Sequence, residues 1–408
     1  MKYLFKLAYA NIAKARLRTI LTLLIISVAL AVYVFFDGCV AGFKAANLEN
    51  VIGFDTGHFK IRSGSYDDDA PYAISNFIAN YDEVYSTLDN KPYVEGYTER
   101  IIFLAEIDNG WDSLPLLVYG INRETDGAVF TLKDFISEGE LVEGGALIGN
   151  NLARDLEFEV GDFAFITFRD AGGMFTSIEV EISGIINSAD PVANSSSLFI
   201  DIEDAKVALN TDGVSEITVI TDNAFRIERY GNDLAEALPA FQIIDWQVEG
   251  ASSFARGEAQ QSMINFIFFF LVLVGMVGIA NTMLMSVYEK KREIGMLKAL
   301  GMTEKEIRTI FVLEGLIIGV SGAFFGVILG IALNSYFVIN GMDFTAILES
   351  LEGKDIGYRI MGVVYAKWNV PSIIGGFVFC IIVSILASFY PAKKAASLEP
   401  MECLRINQ

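Results

Sequence analysis

Four apolar runs, at 20–43, 264–288, 307–337 and 372–390, set the limits on what this chain can fold into. Each reaches or nearly reaches the roughly 20 residues that a helix needs to cross a hydrocarbon core of about 30 Å. Between them lie a long hydrophilic segment, 44–263, and a shorter one, 339–370. The chain is 53% hydrophobic yet carries a formal net charge of −21, and these two properties separate along the sequence. Segment 44–263 holds 39 Asp and Glu against 13 Lys and Arg, a net of −26.

The flanks of the apolar runs are basic instead. Residues 1–18 hold Lys2, Lys6, Lys14, Arg16 and Arg18 with no acidic residue. The 289–309 loop holds Lys290, Lys291, Arg292, Lys298, Lys305 and Arg308, and the tail adds Lys393, Lys394 and Arg405. Short basic flanks stay in the cytoplasm, whereas a large acidic domain crosses regardless of its charge. Both termini and the 289–309 loop are therefore expected inside, with 44–263 and 339–370 outside. The first run also fits a cleaved signal peptide. However, it exceeds the about 7–15 residues of such an h-region, and no A-x-A site follows it, so it is read as a retained anchor.

The expected fold class is a membrane α-helical protein with four transmembrane helices and a large extracytoplasmic α+β domain between helices 1 and 2. Within that domain, alternating Val, Ile, Phe and Thr predict strands at 58–62, 99–107, 114–121, 162–169, 175–186, 214–221 and 241–247. Helical patterns at 149–157, 203–209 and 223–238 interrupt them, which suggests two lobes. Residues 249–263 read as a helix that runs on into the second span. The predicted divisions are 1–43 (stub and first span), 44–263 (external domain) and 264–408 (the other three spans, the 289–309 loop and the tail). Cys39, Cys380 and Cys403 all lie outside the external domain, so no disulfide framework supports it.

Several function classes find nothing to stand on. There is no G-x-x-x-x-G-K-[ST] phosphate loop, no H-E-x-x-H and no G-x-S-x-G, and His58 is the one histidine. Asp67-Asp68-Asp69 lacks the Gly and Glu of a calcium loop and reads as solvated acid. The expectation is a non-catalytic chain that binds no cofactor or metal, and the acidic domain argues against nucleic acid. Two apolar features remain. Gly315, Gly319, Gly322, Gly326 and Gly330 share one face of the third span, where small residues let helices approach closely in lipid; packing against span two or four and contact with a second subunit are equally open. Phe36, Phe43, Phe266 and Phe270 near the outer ends of spans one and two are interface anchors or the lining of a greasy substrate pocket.

"EKKREIGMLKALGMT" (289–303) has a different character. Ile294, Leu297 and Leu300 recur every three residues as an apolar stripe with Lys298 on the other side, and Gly301 is placed as a C-terminal stop. Thr303 and Glu306 form a capping box that opens the next helix. A short helix stopped at both ends, on the surface between two spans, suits a knob that fits a partner's socket.

"SVYEKKREIGMLKALGMT" resembles the signature of the MacB/FtsX-type (type VII) ABC transporter permeases. The tail "YPAKKAASLEPMECLR", the opening "LAYANIAKARLRTILTLLIISVAL" and the domain segments "GDFAFITF", "IEVEISGIIN" and "SLFIDIEDAKVAL" are similar to the same family in the same order. The resemblance implies that Arg292, Glu293, Ile294, Gly295, Leu297, Lys298, Leu300 and Gly301 form a coupling helix that docks into a separate ABC ATPase dimer, where ATP and Mg²⁺ are bound. It further implies a second permease (the same chain or a paralogue), an inner-membrane location and mechanical work on the external domain. With four spans and no fused ATPase, the chain looks most like the lipoprotein-releasing LolC/LolE branch, whose cargo is a lipoprotein. The alternative is a permease of the same fold that exports a peptide or drug or regulates cell-wall enzymes. The sequence departs from the branch at 170–177, where a short loop without proline stands in for the longer Pro-rich loop that grips a periplasmic carrier.

Topology reporters test this orientation. A fusion at Gly213 is expected to show external activity and one at Thr303 internal activity; the reverse pattern would overturn the assignment.

Overall fold

A computed structural model of the protein describes residues 2–14, 16–344 and 362–404. They fall into two compact units, one lying within 1–43, 258–342 and 365–408, the other within 44–257 and 343–364.

The first unit is helical. With helices numbered in chain order, it is built from α1 (Lys2–Lys14), α2 (Arg16–Val51), α10 (Ala251–Glu289), α11 (Lys291–Ala299), α12 (Glu304–Asn340), α13 (Val370–Ala396) and α14 (Pro400–Leu404). Helices α2, α10, α12 and α13 are long and apolar enough to span a membrane. Their outer faces carry exposed Val28, Val274, Phe324 and Leu386, as helices facing lipid do. Helix α10 is one unbroken element of 39 residues that begins just after Gly250.

Helix α12 organises this unit, and its five glycines show how. A Cβ on Gly315 or Gly319 would lie 2.5 Å from the Cβ of Ser388 or Ser384 on α13. On Gly322, Gly326 and Gly330 it would lie 3.0, 2.9 and 2.7 Å from the Cβ atoms of Ile26, Leu30 and Val34 on α2. Ser27 Oγ, also on α2, donates to the Gly322 carbonyl at 2.9 Å. All five glycines thus pack within the chain, against spans four and one, where the sequence reading named span two or four. Span two meets span one through other groups: the Tyr33 ring stacks on Phe268 at 3.9 Å, and the Thr22 and Thr282 hydroxyls lie 3.0 Å apart.

The second unit is the α+β domain. Its strands are β1 (Phe59–Ser63), β2 (Val94–Asp108), β3 (Ser113–Ile121), β4 (Ile136–Gly139), β5 (Gly145–Gly149), β6 (Phe163–Arg169), β7 (Phe175–Ile186), β8 (Ser197–Asp201), β9 (Glu216–Thr221) and β10 (Phe241–Asp245). Its helices are α3 (Asp82–Asp89), α4 (Asp126–Val129), α5 (Asn150–Asp155), α6 (Pro191–Ser196), α7 (Ile202–Leu209), α8 (Ile227–Ala237) and α9 (Trp246–Glu249).

Strand β2 is fifteen residues long and belongs to two structures. Its first half pairs antiparallel with β9, in a sheet ordered β10-β1-β9-β2. Its second half pairs with β3 on one side and β6 on the other. Pairing then runs from β3 to β8, β5, β7 and back to β6, so six strands close a ring. Closure gives each of those strands a partner on both sides over part of its length. Each strand sends at least one fully buried residue into the core, among them Ile107, Val118, Leu198, Ile148, Ile182 and Ile166. The two lobes expected from the interruptions therefore exist, but they share a strand. Strands β4, β5 and β8 lie where no strand was expected. Strand β5 is buried along its whole length, so it shows none of the alternation by which a half-buried strand is recognised.

The glycine contacts carry a prediction. Gly326→Val forces α12 away from Leu30 and the Ser27 backbone, and overpacking of this kind costs about 1–3 kcal/mol. Thermal unfolding of the purified protein should show a lowered midpoint. The control is Gly375→Val on α13, where a Cβ meets nothing within 4 Å and the midpoint should stay unchanged.

Candidate functional site

The segment between the second and third spans is built as a rigid mount. Helix α10 ends at Glu289, and α11 follows after Lys290. Gly301, at φ +96°, stops α11 in a backbone region that residues with a Cβ rarely enter. Thr303 then opens α12: its hydroxyl accepts from Glu306 N at 3.3 Å, while Glu306 Oε2 accepts from Thr303 N at 2.8 Å. This is the reciprocal capping box that the sequence predicts.

Two side chains fix the orientation of α11. Ile294 is 3% exposed and joins the apolar core formed by Ile307, Phe311, Ala392 and Ala396. Lys298 Nζ donates to the carbonyls of Ala396 at 2.6 Å and Leu398 at 2.7 Å, at the end of α13. The sequence reading had Lys298 on the free side of the helix. Its four-carbon stem instead carries the ammonium inward to the orphan carbonyls of a helix C-terminus, where a cation is favoured. Below α11, Lys290 lies 3.9 Å from Glu314 of α12, whose carboxylate accepts from Asn11 of α1 at 2.5 Å.

The outward face follows from these anchors. Arg292, Glu293, Met296 and Leu300 are exposed, Leu300 at 86%, and Leu297 is half-buried. Of the eight residues proposed for coupling, Ile294, Gly295 and Lys298 face the protein, and Gly301 makes the turn. Met296 was missed because the three-residue spacing of Ile294, Leu297 and Leu300 defines a stripe that winds from the buried side to the free one.

The four phenylalanines are not brought together. On α10 the Phe266 and Phe270 rings lie 4.7 Å apart and are exposed. On α2 the half-exposed Phe36 ring meets Phe35 at 5.3 Å and makes no ring contact with the α10 pair among the described residues, while Phe43 is half-buried. Among the described residues no group of three His, Cys, Asp or Glu is placed to hold a metal.

A charged cluster in the inter-span domain escaped the sequence reading. Lys60 and Arg62 point to one side of β1 by strand alternation. Lys60 Nζ lies 2.9 Å from Glu216 and 3.3 Å from both Asp55 and Glu249, and Arg62 lies 3.2 Å from Glu216 and 2.5 Å from Glu249. Burial opposes the Lys60 charge, but the three carboxylates outweigh it and raise its pKa. Burial likewise works against the Glu249 carboxylate, yet Lys60 and Arg62 pull its pKa below the usual value.

Comparison with known proteins places these features in a family. A model described as the MacB-like periplasmic core domain matches residues 19–237, over half of the chain, and the FtsX-like permease C-terminal model matches 265–400. The lipoprotein-releasing system transmembrane protein LolE of Haemophilus influenzae is 24% identical over 82% of this chain and 83% of its own. An uncharacterized ABC transporter permease of Methanocaldococcus jannaschii is 29% identical over 66% of this chain and 65% of its own. The macrolide export ATP-binding/permease protein MacB of Shewanella sp. is 23% identical over 98% of this chain, which spans 60% of that longer protein. With four apolar helices, a periplasmic-type α+β domain between the first two, and both family models in order, the chain belongs to the MacB/FtsX-type ABC transporter permeases, close to LolC and LolE.

Proposed function

We propose that this chain is the non-catalytic membrane subunit of an ABC transporter and that it works by transmitting force. A separate ATPase pair holding ATP and Mg²⁺ engages the outward face of α11 from the cytoplasm, where both termini of this chain also lie. Closure of the pair moves α11, and α10 carries that motion as a lever to the periplasmic domain. A second permease, the same chain or a paralogue, completes the pair. The observation that carries this reading is the mounting of α11: Ile294 and Lys298 hold it, while Met296 and Leu300 stand free. An exposed leucine on a helix fixed this firmly has no internal role, and it fits a socket on a partner.

The cargo we propose is a lipoprotein released from the inner membrane. The likeness to LolE over 83% of that protein supports this. So do the exposed Phe266 and Phe270, which offer acyl chains an apolar face. A second reading, export of a drug or peptide or control of cell-wall enzymes, is favoured by the short turn between β6 and β7, which leaves no long loop to grip a carrier. Mass spectrometry of the complex purified with its lipid-modified proteins separates the two: co-purifying lipoproteins support release, and their absence beside a bound peptide or drug supports export.

The coupling claim yields a graded set of variants. Leu300→Asp should leave membrane levels normal, because its side chain touches little of the bundle. It should nonetheless lose the ATPase on purification and lower permease-dependent ATP hydrolysis by about tenfold or more, the equivalent of roughly 1.4 kcal/mol or more. Ile294→Asp should instead lower the amount of folded chain, since a carboxyl group buried there without a partner, even when protonated, costs several kcal/mol, on the order of 2–7. Lys298→Ala should keep the fold and weaken coupling by loosening α11 from α13. Full ATPase binding and coupling in Leu300→Asp would remove the docking role from α11.

A further inference from the structure

At the end of the bundle that carries α11, some cations are engaged within the chain and others are not. Lys298 donates to the carbonyls of α13, Lys290 lies beside Glu314, and Lys394 donates to the Tyr288 hydroxyl at 2.5 Å. Lys305 and Arg308 on the first turns of α12, and Lys393 near the end of α13, are exposed. Among the described residues none of these three forms an ion pair. Of the two acids that flank Lys305, Glu304 lies 3.8 Å from Lys298 and Glu306 is held by Thr303 in the capping box.

The seam between α12 and α13 relates the three. The Arg308 guanidinium lies over the Phe389 ring, 5.9 Å from its centroid, so it reaches across from α12 to α13. Lys393 follows Phe389 by one turn on the same face of α13, and Lys305 precedes Arg308 by one turn on α12. In the other direction Leu386 and Ile382 continue the Phe389 face of α13, and all three apolar side chains are exposed. The seam thus has cations at its end, an aromatic ring beneath them and an apolar track leading away.

We propose that this seam binds an anionic phospholipid, with the phosphate on Arg308 and Lys393 and an acyl chain along Leu386 and Ile382. The track lies on a helix long and apolar enough to cross a membrane, so a lipid tail meets it and a soluble partner does not. A zwitterionic lipid brings its own ammonium and leaves the cations unanswered, whereas basic pockets between spans favour anionic headgroups. A free phosphate answers the charge but leaves the apolar track bare. The planar guanidinium offers phosphate oxygens a two-pronged donor, and the Phe389 ring beneath it adds cation–π attraction that holds it in place. Such a lipid bridges α12 and α13, the two helices whose contact sets both anchors of α11. Binding here needs neither an ATPase nor a cargo and stands independently of the coupling role of α11.

The test uses the full chain in dodecylmaltoside micelles, titrated with dioleoylphosphatidylglycerol or dioleoylphosphatidylcholine, with bound lipid read by native mass spectrometry. Phosphatidylglycerol should bind about tenfold more tightly than phosphatidylcholine or better, and excess glycerol phosphate should not displace it. Arg308→Gln and Lys393→Gln should each weaken phosphatidylglycerol by about fivefold or more, since each removes a charged donor to the phosphate. Lys291→Gln on α11 removes the same charge at the same end but outside the seam, and it should leave binding unchanged. If Arg308→Gln lowers the thermal midpoint of the lipid-free chain, Lys393→Gln decides alone. Equal binding of the two lipids, displacement by glycerol phosphate, unchanged binding in the folded seam variants, or an equal loss in Lys291→Gln would each overturn the proposal.

Discussion

Backbone contact along the glycine face of α12 is the interaction on which the rest of the membrane unit depends. In lipid, apolar side chains gain nothing by leaving the solvent, so helices associate through close packing and a few polar bonds. Gly315 and Gly319 admit α13, while Gly322, Gly326 and Gly330 admit α2, so one helix holds two neighbours on a single face. The mount of α11 is a consequence. Its lysine reaches carbonyls at the end of α13, and its isoleucine enters a core shared by α12 and α13. Were α12 and α13 to slide, both anchors of α11 would be lost.

The inter-span domain meets a different constraint with a different device. Strand β2 serves the four-stranded sheet and the closed ring at once, so neither lobe can move without the strand they share. The charged cluster sits beside that strand, and Lys60 joins Asp55, near the end of α2, to Glu249, near the start of α10. Such a buried network is costly to break at any single member, because the partner left behind remains charged in a low dielectric. It fixes the two chain segments that enter and leave the domain.

The sequence revealed whatever depends on local periodicity. The spans, the capping box at Thr303 and the alternating strands β6 and β7 were all legible, because each is written within about twenty residues. Features made by distant segments were not. Lys298 bonds to a carbonyl 100 residues away, and Arg62 and Lys60 find partners 154 and 189 residues away, with no spacing that announces them. The glycine stripe was visible, but its partner helices were not, since a small residue states that something approaches and not which helix does. Strand β5 failed for the opposite reason: it is buried on both faces and reads as a plain apolar run.

The central claim is that α11 presents a free face to an ATPase while its other face is held by the bundle. Photo-crosslinking in membranes tests it most directly, with a benzophenone amino acid placed at Leu300 in one sample and at Ile294 in another. The account predicts that Leu300 captures a Walker-motif ATPase subunit and that Ile294 yields only crosslinks within the chain. Capture of the ATPase from Ile294, or of lipid alone from Leu300, would contradict it.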